Sequence, residues 1–169
     1  MSIRGKLVLG FIVVAAIAAG IGTLGVVNIN KLADAAEFAY GNQTMPIAQL
    51  VTIAQSFQRQ RINVRDMFEA KNEAERLAAQ KTINELGEAI VKAVDKYKST
   101  MTPGKGKELF EAARKARVEF RAKRQQDIDL AMAGKLAEGM ALVEGKGKAA
   151  ALAYQAALDD LVVYKEKRA

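Results

Sequence analysis

The sequence predicts an all-α protein: one membrane-spanning helix, continuous with the first helix of an up-down-up-down antiparallel four-helix bundle. Three observations predict it. An uncharged apolar run fills residues 7–30. Beyond it, apolar residues recur in steps of three and four, with no strand-like alternation of any length. Only short breaks interrupt that pattern, and short connections make successive helices antiparallel neighbours. Composition agrees. Hydrophobic residues make up 50% of the chain and only two residues are proline, a mixture that favours helix.

The apolar run reads "LVLGFIVVAAIAAGIGTLGVVNIN", Leu7 to Asn30. Roughly 20 such residues cross a bilayer core. Arg4 and Lys6 precede it, and basic residues before a span favour a cytoplasmic N-terminus. The expected division is a cytoplasmic segment 1–6, a transmembrane helix 7–30 and an exported bundle 31–169. Gly20, Gly22 and Gly25 suit close helix packing in lipid. A cleaved signal peptide is the competing reading, because Ala16-Ile17-Ala18 has a small-x-small pattern. The apolar run continues to Ile29, about ten residues past that site, so an uncleaved anchor is expected.

The first bundle helix is expected to run on from the span to about Ala70, bent at Pro46 by the missing N–H. Asn72 is placed to cap the second helix, with Glu75 three residues on as its capping-box partner. The second helix runs to about Lys98 on a seam of Ala79, Ile83, Leu86, Ile90, Ala93 and Tyr97. Thr102 and Pro103 read as N-cap and first residue of the third helix, which extends to about Met132. Ala133-Gly134 is a short turn, and the fourth helix starts near Lys135. In this arrangement the turns at Lys71–Asn72 and Ala133–Gly134 lie far from the membrane.

One residue breaks the pattern. Ile47, Leu50, Ala54, Phe57, Val64 and Phe68 form a seam on the first bundle helix, and that seam passes through Arg61. Arg65 follows one turn later. A buried, unpaired guanidinium costs several kcal/mol. Roughly 15 Å from the distal turn, the other helices also turn polar. The third offers Lys123, Arg124 and Asp127 where its seam lapses, the second Thr82 and Asn84. The fourth carries "EGKGK", Glu144 to Lys148. Gly145 and Gly147 there allow close approach of backbone or ligand, or mark a local break. Two readings follow: a basic pocket for an anion, which arginine forks suit, or a structural network pairing Arg61 with Asp127 or Glu144.

Charge and composition exclude other classes. The net charge is +7, which favours anionic partners. The chain has no histidine and no cysteine, so the commonest general base, thiolate chemistry and the commonest metal ligands are missing. No Gly-rich phosphate loop follows a strand. Asp159 and Asp160 are adjacent and face different sides of a helix. Aromatics interleaved with basic residues, the mark of nucleic-acid binding, are missing too. No enzyme activity, catalytic residue, cofactor, metal or nucleic acid is expected.

Four stretches taken in order, "MSIRGKLVLGFIVVAAIAAGIGTLGVVNINKLA", "MPIAQL", "RINVRDMF" and "MAGKLAEGMALVEG", resemble the N-terminal part of bacterial methyl-accepting chemotaxis proteins with a four-helix-bundle sensor. The resemblance covers the whole chain. It implies a homodimeric periplasmic sensor in the bacterial inner membrane. The ligand would bind toward the distal half at the first and fourth bundle helices, and the signal would pass inward by displacement of the fourth. In the aspartate-receptor branch, first-helix arginines grip the ligand's carboxylates. Arg61 and Arg65 match two of these in spacing, while the third falls on Ser56, so the carry-over covers Arg61 and Arg65 alone. Tyr154 sits on the fourth-helix seam, a core position. Such receptors carry further membrane and cytoplasmic segments, so the chain reads as the sensor part of a longer receptor.

The expectation is a chemotaxis signal-transduction sensor for a small anionic ligand, with Arg61, Arg65, Lys123, Arg124, Gly145 and Gly147 as ligand-binding residues. The alternatives are a membrane-anchored helical adaptor that binds a protein partner, or the same sensor module feeding a histidine kinase or a diguanylate cyclase.

Overall fold

The computed structural model describes residues 3–41, 45–101 and 103–167. The described residues are helical throughout apart from short turns. The chain forms two compact units, Met1–Tyr40 and Gly41–Ala169.

Helix α1, Ile3–Ala39, makes up the first unit. It is long and apolar enough to cross a membrane, and no residue of its most apolar 18-residue stretch is buried within the protein. Thr23, a polar residue within the apolar run, donates its hydroxyl to the Ala19 carbonyl at 2.8 Å. A helix satisfies its polar groups internally in this way when no water is at hand. A π-type turn follows at Tyr40–Gly41. The expected boundary between span and bundle, at residues 30 and 31, lies inside α1, which runs through it unbroken to Ala39. The expected continuation into the first bundle helix crosses residues 42–44, which lie outside the described residues. Helix α2, Met45–Glu69, begins just beyond, which changes the role of Pro46. It stands in the first turn, where a missing N–H leaves no hydrogen bond unmade, and not in a helix interior where it would bend the chain.

Helix α3 spans Glu73–Ser99 and starts on the expected cap. Asn72 Oδ1 accepts from the Glu75 N–H at 2.9 Å. Glu75 reaches back to the Lys71 N–H at 2.8 Å, and also takes a hydrogen bond from the Asn72 side chain at 3.0 Å. Helix α4, Lys105–Met132, starts differently from expectation. Its N-cap is Gly104, at φ 122°, a left-handed conformation that suits glycine. Pro103 lies ahead of the helix, and Thr102 lies outside the described residues. At the far end of α4, Gly134 adopts φ 71°. The Lys135 N–H bonds the Leu130 carbonyl at 2.9 Å and the Gly134 N–H bonds that of Ala131 at 3.2 Å, the pattern of a Schellman turn.

The fourth bundle helix is interrupted. Helix α5, Leu136–Leu142, passes into a π-helical turn at Val143–Gly147 and then into α6, Lys148–Glu166. Gly145 within that turn has φ −96° and ψ −106°, away from helical values. The interruption falls on the "EGKGK" stretch, where two glycines lower the cost of leaving the helix.

The core consists of two apolar clusters. The larger joins Leu50, Ile53 and Phe57 of α2 with Ile90, Ala93 and Tyr97 of α3, Phe110, Ala113 and Phe120 of α4, and Ala151, Tyr154, Leu158 and Leu161 of α6. Residue numbers rise along α2 as they fall along α3, and likewise for α4 and α6, so the helices are antiparallel neighbours. The smaller cluster lies toward the α2–α3 and α4–α5 turns and contains Val64, Met67, Phe68, Ile83, Ile128 and Ala131. Among the described residues, the buried polar side chains of the bundle are Ser56, Gln60 and Asp127, while the basic residues of the expected layer are half-buried (Arg61, Lys123, Arg124) or exposed (Arg65, Lys148).

The seam of α2 keeps Leu50, Phe57, Val64 and Phe68 of the expected set, but buries Pro46, Ile53 and Gln60 in place of Ile47, Ala54 and Arg61. Its buried positions include Pro46, Leu50, Ile53, Phe57, Gln60, Val64 and Met67, an unbroken alternation of steps of four and three. The core therefore receives Gln60 and not Arg61. Gln60 is 1% exposed, and its Nε2 donates to the Ile83 carbonyl at 2.8 Å. A neutral amide with a partner costs far less to bury than a guanidinium. The α3 seam is as expected, with Ile83, Leu86, Ile90, Ala93 and Tyr97 all buried.

Candidate ligand-binding site

The gap between the clusters opens as a cavity of about 240 Å³ between α2, α4 and the fourth bundle helix. From α2 it is lined by Gln58, Arg61, Ile62, Val64 and Arg65, and from α4 by Phe120, Arg124 and Asp127. Val143, Gly147, Lys148 and Ala151 complete it. The spacing on α2 puts residues 58, 61, 62 and 65 on one face. The α4 residues follow the same rule at 120, 124 and 127.

Phe120, on the cavity wall, belongs to an aromatic trio. Phe57 meets Phe120 and Tyr154 edge-to-face, with centroids 4.9 Å apart in each pair. Tyr154 is a core residue, as its seam position predicts, and burial pushes its hydroxyl up to about 12. Arg61 lies over the edge of this trio. Its Cζ is 5.7 Å from the Phe57 ring centroid, and its Nη1 donates to Gln58 Oε1 at 2.8 Å. Gln58 in turn donates to Gln155 Oε1 of α6 at 3.1 Å. The structural network proposed for Arg61 is therefore absent: among the described residues no ion pair joins it to Asp127 or Glu144. Arg61 is half-buried on the cavity wall, held by an amide and an aromatic face.

Arg124 and Asp127 differ from the other polar residues. Arg124 Nε is buried without a hydrogen-bond partner, and so is Asp127 Oδ1. Burial first, then the nearby Arg121 and Arg117, pull the Arg124 guanidinium down to about 10, so it stays charged at neutral pH. Asp127 is only 5% exposed. Burial pushes its carboxyl up to about 7, against the opposing charge of Lys123. Buried polar groups in native proteins are normally paired, and each orphan calls for an explanation. Here an unpaired donor and an unpaired acceptor lie on residues that line the same cavity.

The interruption in the fourth helix shapes the third wall. A Cβ added to Gly147 would lie 2.9 Å from the Leu142 carbonyl oxygen and 3.4 Å from Asp127 Oδ2. Glycine thus lets the π turn close up and lets the Asp127 carboxyl approach the backbone.

The cavity brings together four of the six predicted site residues: Arg61, Arg65, Arg124 and Gly147. Lys123 does not line it. It is half-buried beside Asp127 and donates to Gln126 at 3.4 Å. Gly145 does not line it either, and a Cβ there would meet nothing within 4 Å. Its part is in the backbone interruption. Helix α3 contributes nothing to the cavity: Thr82 bonds back to the Ala78 carbonyl at 3.1 Å and Asn84 is exposed. Lys148 and Ile62 line the cavity without having been expected. Ile62 lies four residues after Gln58 and three before Arg65, on the same helix face, and Lys148 directly follows Gly147 in the "EGKGK" stretch.

A family model for the four helix bundle sensory module for signal transduction matches residues 1–169. The chain belongs to that family. No curated protein and no solved structure matches it.

Proposed function

We propose that the cavity between α2, α4 and α6 is the ligand site of an extracytoplasmic sensor, and that the ligand is a small anion, in the first instance a carboxylate. The observation that carries this reading is the buried, unpartnered Arg124 Nε on a residue lining a cavity with Arg61, Arg65 and Lys148. A carboxylate supplies what that donor lacks and matches the fork of a guanidinium. Arg61 is preorganised for the same task, since Gln58 and the Phe57 ring already fix its side chain.

The site would function as a chemoreceptor input. Helix α1 serves as the membrane anchor with its N-terminus in the cytoplasm, and the bundle stands in the periplasm as a homodimer. Ligand held by α2 and α4 against Gly147, Lys148 and Ala151 bears directly on the fourth bundle helix. The π turn at Val143–Gly147 is a point where that helix can yield. A change there would travel along α6 as a displacement toward the membrane. The role is binding and relay, not catalysis.

A thermal-shift screen of the full chain in phosphatidylcholine nanodiscs against small carboxylates, sulfate and phosphate tests this. Ligand at about 100 times its Kd stabilises the fold by about 2.7 kcal/mol. A carboxylate that raises Tm in the wild type and not in Arg61→Ala supports the reading. No shift with any anion in a folded protein would contradict it.

A further inference from the structure

An anion site made of arginines and a lysine does not explain Asp127. This carboxyl lines the same cavity, is 5% exposed, and leaves Oδ1 without a partner. Among the described residues no ion pair joins it to any of the cations around the cavity. A carboxylate ligand beside an ionised Asp127 would place two like charges in one small space, an arrangement that drives one of the two groups to take a proton. A protonated carboxyl gains an O–H donor, and that donor can bond a neighbouring carboxylate.

We infer that the cavity binds its anion together with one proton, held on the Asp127 carboxyl and donated as a hydrogen bond to the ligand's carboxylate. The inference rests on the cavity being the anion site. The proton comes from solvent and no covalent bond to the ligand forms. The charges around Asp127 are Arg61 and Arg65 on α2, Lys123 and Arg124 on α4, and Lys148 on the fourth helix, with Glu144 exposed outside the cavity. Helix α3 does not line the cavity. Of these, Lys123 opposes protonation, and burial outweighs it, since the carboxyl is pushed up to about 7. An arriving anion favours the neutral acid further. The site would therefore read ligand and acidity jointly, binding more tightly as pH falls.

The test uses the full chain in phosphatidylcholine nanodiscs with succinate as the probe, between pH 6.5 and 8.5, where succinate remains a dianion. Carbon-13 NMR of the aspartate carboxyls follows Asp127, assigned by the signal lost in Asp127→Asn, and calorimetry follows succinate binding. The expected result has three parts. The Asp127 midpoint lies near 7 and rises when succinate is added. Succinate affinity weakens by about tenfold per pH unit above that midpoint. In Asp127→Asn the affinity no longer varies with pH. Succinate binding that is independent of pH, or an Asp127 midpoint below 5, would overturn the coupling and leave the anion site standing. No succinate binding at any pH would overturn both.

Discussion

At the scale of single residues, the distinction between Gln60 and Arg61 decides what the bundle can do. Both fall on an apolar seam by spacing, and two phases of the same 4/3 alternation run along α2. The phase through Ile53, Gln60 and Met67 is the buried one. It carries a neutral amide where the other carries a guanidinium, and the cost of burying a charge is the physical ground for choosing it. The basic layer was legible from the coincidence of polar residues on several helices. Which arginine lacked a partner was not, because orphaned atoms depend on side-chain packing that spacing does not encode. Gln60→Ala removes the amide that bonds the Ile83 carbonyl and leaves a void beside Gly87, whose position lies close to Gln60 Nε2. The expected loss is about 1–3 kcal/mol, read by urea denaturation, with carboxylate binding retained because Gln60 does not line the cavity.

At the scale of elements, turn chemistry was legible where the backbone conformation is written in the residues. Asn72 with Glu75 and Ala133-Gly134 both mark helix ends found in the structure. The α4 start departs from the expectation: Thr-Pro is a strong cap signal, yet Gly104 takes the positive-φ turn and the helix begins after it. Asn72→Ala should cost about 1 kcal/mol of stability, measurable as a lowered denaturation midpoint with an unchanged m-value. Gly139 of α5 faces the Phe68 ring, and an added Cβ would run into it, with Leu130 Cβ 3.3 Å away. Gly139→Ala should therefore destabilise by about 1–3 kcal/mol through overpacking, despite alanine's better helix propensity. Stabilisation of this variant would show that α5 packs elsewhere. The π turn was foreshadowed by two glycines in one helical stretch, but its geometry follows from closing α5 and α6 against α4 and Asp127.

At the scale of the whole molecule, the class of fold was legible because each level of the sequence agrees: one uncharged run, helical periodicity throughout, and short breaks. The division of the core into two clusters was only partly legible, since it rests on the lapse of the α4 seam at Arg124 and Asp127. That division has a global consequence. Asp127 holds its proton up to about pH 7 in the folded protein, while the unfolded chain releases it near 3.8. Between these values the folded state binds more protons, so this group's contribution to stability is greatest in acid and is lost as pH rises toward 7. Melting of the ligand-free protein at pH 5 and pH 8 should show that loss, and Asp127→Asn should melt higher than the wild type at pH 8. A second global expectation concerns the anchor: protein extracted from membranes should begin at Met1 or Ser2, and an N-terminus at Ala19 would show a cleaved leader.

The most direct test of the central claim, that the cavity between the two core clusters holds an anion, is calorimetric carboxylate binding to the full chain, wild type beside Arg124→Ala. The account predicts at least a tenfold loss of affinity in the variant, about 1.4 kcal/mol. Its fold should be as stable as the wild type or more so, since a buried unpaired charge has been removed. Equal affinity in both proteins would contradict it and place the anion elsewhere.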